Sequence, residues 1–235
     1  MPWDVTTIAQ VLILWLFGFC LVGGVAIPAL SLLFESSSGG AYGGAATPWK
    51  QAIFTVIVDV IQAITGLGIL RACVAKYNPR RLGLFPMKAV SLSDALKVAA
   101  CAITFPLIMR AYNAFEPMPA SNLGELLSFT PLERAANGLY VLWTTTASPV
   151  WEEVLFRGFL MPSLRKYVPL PAAVALSALV FALLHFSLSK AVPLTLLGII
   201  FGTVFAWSGT LLAPMALHSL WNVFAFCTTR FFVGL

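Results

Sequence analysis

Pro149-Val150-Trp151-Glu152-Glu153-Val154-Leu155-Phe156-Arg157-Gly158-Phe159-Leu160 sets two adjacent carboxylates and a guanidinium inside an otherwise apolar segment. An ionisable group at membrane depth costs roughly 2.5–3.5 kcal/mol on insertion scales, so such groups face a protein interior or a wet cavity and mark function. Around this stretch the 235-residue chain is 60% hydrophobic and 10% charged, against about 45–50% and ~25% in an ordinary soluble domain. With about 20 apolar residues per span, the composition predicts an all-α, polytopic membrane bundle of about seven transmembrane helices, in a range of six to eight. Residues 1–235 then form a single integral membrane domain, with amino-terminal helices and loops over 1–137 and a polar-site core over 138–233.

Working outward from the quoted stretch, apolar runs predict spans near residues 8–27, 51–70, 95–109, 139–160, 171–188, 193–208 and 214–233. Pro149 is expected to break or kink the fourth, or to restart it with Ser148 as cap. Residues 35–48, rich in glycine and serine, read as a flexible loop. Residues 113–137, with Glu116, Glu125, Glu133 and Arg134 interrupted by Pro117, Pro119 and Pro131, read as a loop with one interfacial turn. Arg71, Lys76, Arg80, Arg81 and Lys88 make the densest basic loop, which the positive-inside rule places on the cytoplasmic side or its equivalent. Counting loops from there puts the amino terminus inside and the carboxyl terminus outside.

The net charge of +5 arises from 14 Lys and Arg scattered over many loops. No run is dense enough for a nucleic-acid patch, so the basic excess reads as topology and lipid contact. The amino end lacks a basic first region and a cleavage site, so the first helix is expected in the mature protein. Cys20, Cys73, Cys101 and Cys227 show no paired spacing and read as small core residues. Gly198, Gly202 and Ala206 form a stripe for close helix packing. Asp59, alone in the second span, is a cavity residue or a hydrogen-bond partner of a neighbouring helix.

Helical spacing divides the charged stretch. Glu153 and Arg157, four apart, share a face and can pair. Glu152 points roughly 140° away from Arg157 at ~100° per residue, free to meet another helix. The chain has two histidines: His185 follows Phe181 by four, and His218 precedes Asn222 by four. Singly, each has a bland reading as a buried ion network, a satisfied core histidine or an interhelical amide bond. Jointly, Glu152, His185, His218 and Asn222 can hold a water, take its proton and stabilise the oxyanion formed on a peptide carbonyl. Glu152, His185 and His218 could instead bind a divalent metal such as zinc with one position open. HExxH is absent, and Asn is an uncommon zinc ligand.

The ordered motifs Glu-Glu-x-x-x-Arg at 152–157, Phe-x-x-x-His at 181–185 and His-x-x-x-Asn at 218–222 resemble the CPBP family, the CAAX-protease and bacteriocin-processing intramembrane endopeptidases. The resemblance implies that Glu152 activates water with His185 and that His218 and Asn222 bind the substrate carbonyl or oxyanion. Glu153, Arg157 and Phe181 would support the site. It further implies a peptide or membrane-protein substrate within the lipid bilayer, and at ~1.5 Å per residue the assigned spans place Glu152 and Asn222 in the inner half of the membrane, near the inner face. The family also contains non-proteolytic regulators that bind a partner protein in a membrane complex. The Pro2-Trp3 start is similar to cyanobacterial and plastid members, some linked to chlorophyll metabolism, which points to a thylakoid or bacterial inner membrane.

Overall fold

The computed structural model describes residues 1–26, 28, 48–79, 82, 84–115 and 130–231. Outside them lie the expected glycine-serine loop apart from Pro48, and Arg80 and Arg81 of the basic loop. Glu116, Pro117, Pro119 and Glu125 also lie outside the described residues.

Among the described residues ten α-helical segments come in order: α1 Val5–Leu21, α2 Pro48–Val74, α3 Leu92–Ala102, α4 Phe105–Phe115, α5 Pro131–Leu142, α6 Ser148–Glu153, α7 Met161–Leu164, α8 Leu170–Leu183, α9 Ala191–Ser208 and α10 Leu212–Phe231. No strand occurs among the described residues. With a 3-10 turn ending α2, a kink joining α3 to α4, and π turns Trp143–Ala147 and Val154–Leu160 joining α5, α6 and α7, these make the seven expected helical passages. The protein is a polytopic helical membrane protein. Among the described residues four passages are long and apolar enough to cross a bilayer: Val5–Val25, Trp49–Tyr77, Leu92–Ala114 and Ala191–Ser208. The other three are short, as α8 is, or carry the polar groups of the site, as the 131–164 rod and α10 do.

Helix starts obey local chemistry. Asp4 Oδ1 accepts from the Thr7 amide (3.0 Å) and caps α1; Ser91 Oγ accepts from the Asp94 amide (3.1 Å) and caps α3. Thr130 and Glu133 form a reciprocal capping box, with Pro131 in the first turn. Glu133 and Arg134 therefore open a helix and are not loop residues as the sequence suggested.

At Pro149 the structure corrects two of the three expected outcomes: the backbone stays helical without a break, and no restart is capped by the Ser148 side chain. A π turn takes up the missing donor: the Ser148 amide bonds the Trp143 carbonyl, five residues back, and Pro149 has no N–H to offer the turn above it. The Thr144, Thr145 and Thr146 hydroxyls donate to the carbonyls of Tyr140 (2.5 Å), Val141 (2.7 Å) and Leu142 (2.6 Å). Such back-bonding bends and loosens a helix.

One set of contacts ties the amino end to the rod, and another locks the two helices beside it. At its carboxyl end the buried Trp3 donates from Nε1 to Ser163 Oγ (2.7 Å) and packs against Phe159 and Tyr77; Lys166 Nζ donates to the Trp3 carbonyl (2.8 Å). The Pro2-Trp3 start is thus an anchor to the helix that carries the glutamates. Beside the rod, α8 and α9 pack so tightly that a Cβ on Gly198 would lie 2.8 Å from the Ala178 Cβ and 2.9 Å from its Cα. Gly202 faces Val174 and Met161, whereas Ala206 is exposed and lies off this seam. The cysteine expectation is corrected in part: all four are free, but Cys20 and Cys227 are exposed and only Cys73 and Cys101 are half-buried.

Candidate active site

Burial separates the adjacent glutamates. The Glu153 side chain is fully buried and the Glu152 side chain is 15% exposed. Glu153 Oε1 accepts from Arg157 Nη1 (2.8 Å), so the i, i+4 pair forms even though the helix between them enters a π turn. Arg157 Nη2 donates to the Gly198 carbonyl across the interface (2.9 Å). The guanidinium carbon lies 5.0 Å from the Phe181 ring centroid, 5.4 Å from Phe201 and 5.9 Å from Phe156. Three aromatic faces around a desolvated cation are favourable and explain how a guanidinium is tolerated there.

The same Glu153 oxygen meets His218 Nδ1 at 3.0 Å, a contact the sequence did not reveal. A carboxylate only accepts, so Nδ1 carries the hydrogen and the other nitrogen, Nε2, faces Glu152 Oε2 at 3.9 Å. Phe201 stacks on the imidazole (4.7 Å, 23°) and Phe181 meets it edge-on (6.0 Å, 85°). His218 is therefore clamped between two rings with one nitrogen committed and one presented.

His185 is oriented by the same logic. Its Nδ1 lies 2.8 Å from the Phe181 carbonyl, an obligate acceptor, which leaves Nε2 as the free nitrogen. Phe181 packs edge-on against this ring as well (4.8 Å). Asn222 Nδ2 donates to the Thr144 carbonyl (2.8 Å). That carbonyl lost its usual partner when the Ser148 amide bonded Trp143, and its next donor down the chain would be the missing N–H of Pro149. The Asn222 amide retains a second hydrogen.

Glu152, His185, His218 and Asn222 line one cavity of about 200 Å³ together with Asp59, Tyr140, Thr144, Ser148 and Phe201. At about 30 Å³ per liquid water this has room for several waters or one peptide unit. Asp59 satisfies both of its sequence readings: it lines the cavity, and its Oδ2 accepts from Trp143 Nε1 (2.6 Å) and from the Ser148 hydroxyl. Phe201 was missed, because an aromatic in an apolar helix carries no signal until its partner ring is known. Among the described residues, no group of three or more His, Cys, Asp or Glu is placed to hold a metal ion.

Residues 135–224 match the family model described as type II CAAX prenyl endopeptidase Rce1-like. Neither a curated protein nor a solved structure matches the chain. The match spans the site rod, α8, α9 and the part of α10 that bears His218 and Asn222, and it leaves out α1 to α4. The likeness of this chain to Rce1-like, type II CAAX prenyl endopeptidases is therefore a match over residues 135–224.

Proposed function

We propose that the chain is an intramembrane endopeptidase that hydrolyses a peptide bond, near the inner membrane face, with water activated by Glu152 and His185. The observation that carries this is the shared cavity: a partly exposed carboxylate, two imidazoles whose Nδ1 atoms are held by other groups, and an amide with a hydrogen to spare, brought together from three helical passages. Glu152 takes a proton from a cavity water while the lone pair of His185 Nε2 orients it, and the water oxygen attacks the carbonyl carbon. The tetrahedral oxyanion accepts from the second Asn222 amide hydrogen and from His218 Nε2 when that ring is protonated against Glu153. Glu152 then returns the proton to the leaving amine. Glu153 and Arg157 hold His218 in place and touch no reacting atom. We assign no step to a metal, so cleavage should survive a chelator.

The substrate class is a peptide or the end of a membrane protein, since the cavity lies within the helical bundle. The membrane itself, thylakoid or bacterial inner, we propose on the Pro2-Trp3 start alone. The test is reconstitution in lipid nanodiscs with a peptide library that includes prenylated carboxyl-terminal peptides. Cleavage should vanish in Glu152→Ala and in His185→Ala; activity retained in both sinks the mechanism. Cleavage absent in the parent protein, with binding of a partner protein retained, would instead support a non-proteolytic regulator.

A further inference from the structure

Asp59 belongs to α2, outside the family match, yet it reaches the rod at an informative place. Its Oδ2 accepts from the side chains of Trp143 and Ser148, and these are the two residues whose backbone bond, Ser148 N–H to Trp143 O, closes the π turn. In a π turn residues i and i+5 stand nearly above one another, whereas in a straight α-helix they are ~140° apart and point to different faces, which disfavours a shared acceptor. Pro149 makes an α continuation poor but leaves an ordinary proline kink open. We propose that Asp59 is a positioning residue: by clamping Trp143 and Ser148 to one oxygen it selects the π turn and so fixes the rotation at which Glu152 enters the cavity.

The consequence is a matter of helix register. A π turn holds one more residue than the α turn it replaces, so its loss rotates the remainder of the rod by ~100° and slides it by ~1.5 Å relative to α5. Glu152 would leave His218, and the Thr144 carbonyl would leave Asn222. The clamp therefore couples the amino-terminal helices to a site whose reacting groups all lie in the matched domain. Its functional half rests on the endopeptidase reading; its structural half does not.

Hydrogen exchange of residues 143–153 in nanodiscs, alongside kcat and KM for peptide cleavage, tests both halves. Asp59→Ala should speed exchange at Ser148 and Val150 about tenfold and lower kcat about 100-fold, with KM held within about twofold. Asp59→Asn, whose side-chain oxygen can still accept from Trp143 and Ser148, should restore protection and most of kcat. Should Asp59→Ala fail to fold, Ser148→Ala and Trp143→Phe each remove one donor and should give intermediate exchange. Unchanged exchange in Asp59→Ala, or in both single-donor variants, overturns the clamp whatever the activity. Equal losses in Asp59→Asn and Asp59→Ala overturn it also, since charge alone would then matter. If the parent protein cleaves nothing, the endopeptidase reading fails and the exchange data still decide the clamp.

Discussion

Arg157→Met removes the cation on which the buried half of the site is built. The Arg157 side chain is 1% exposed and Glu153 fully buried, so the substitution leaves a carboxylate in an apolar surround with His218 as its one remaining partner. Breaking a buried pair from one side costs roughly 3–5 kcal/mol. Methionine still fills space against Phe156, Phe181 and Phe201, but the bond to the Gly198 carbonyl goes as well, itself about 1.5–3 kcal/mol for a charged donor. We therefore expect a loss of at least about 5 kcal/mol, measured as the shift in detergent-induced unfolding followed by tryptophan fluorescence. The companion is Glu153→Gln with Arg157→Met, which removes both charges and keeps an amide oxygen for His218 Nδ1–H. It should be less destabilised than the sum of the single variants by about 1–2 kcal/mol. A single variant within about 1 kcal/mol of the parent, or a strictly additive pair, would refute the idea that Arg157 neutralises Glu153 beneath the site.

Glu152→Gln should leave unfolding unchanged and lower cleavage by at least about 100-fold; a stability loss without an activity loss would assign Glu152 to packing. Gly198→Ala drives a methyl against Ala178, 2.8 Å from its Cβ and 2.9 Å from its Cα, and should cost about 1–3 kcal/mol, since neither atom belongs to a flexible side chain that could yield. Trp3→Ala, which loses the bond to Ser163 and two ring contacts, should destabilise by about 3–5 kcal/mol; a neutral result would show that the amino end is not an anchor. The hydrogen bonds from the Thr6 hydroxyl and Thr7 amide hold the Asp4 carboxyl at about 2, below its usual 3.8. Its contribution to α1 is therefore full above the usual value and lost as pH falls through about 2, so Thr7 amide exchange should quicken over that window. The response should be absent in Asp4→Asn.

The helical passages were legible because apolar runs and their interruptions are local properties of the chain. The Glu153–Arg157 pair was legible for the same reason, being a matter of four-residue spacing. The features that escaped were set by contacts between distant segments. The bond from His218 to Glu153 and the stacking of Phe201 depend on the approach of α9 and α10 to the rod, which no periodicity encodes. Pro149 illustrates the other limit. Its missing N–H was evident, but a break, a kink and a π turn answer it equally well until Asp59, Trp143 and Ser148 are seen together. Likewise Pro2-Trp3 read only as a family likeness, because Ser163 and Lys166, its partners, lie at the far end of the rod.

The central claim is that the cavity beside Glu152 hydrolyses peptides and that Glu152 is the group that takes the proton. The most direct measurement is single-turnover cleavage of a peptide by nanodisc-embedded protein, comparing the parent with Glu152→Gln after both are shown to share one unfolding profile. The account predicts cleavage in the parent, undiminished by chelator, and none detectable in the variant; equal cleavage by the two proteins would contradict it.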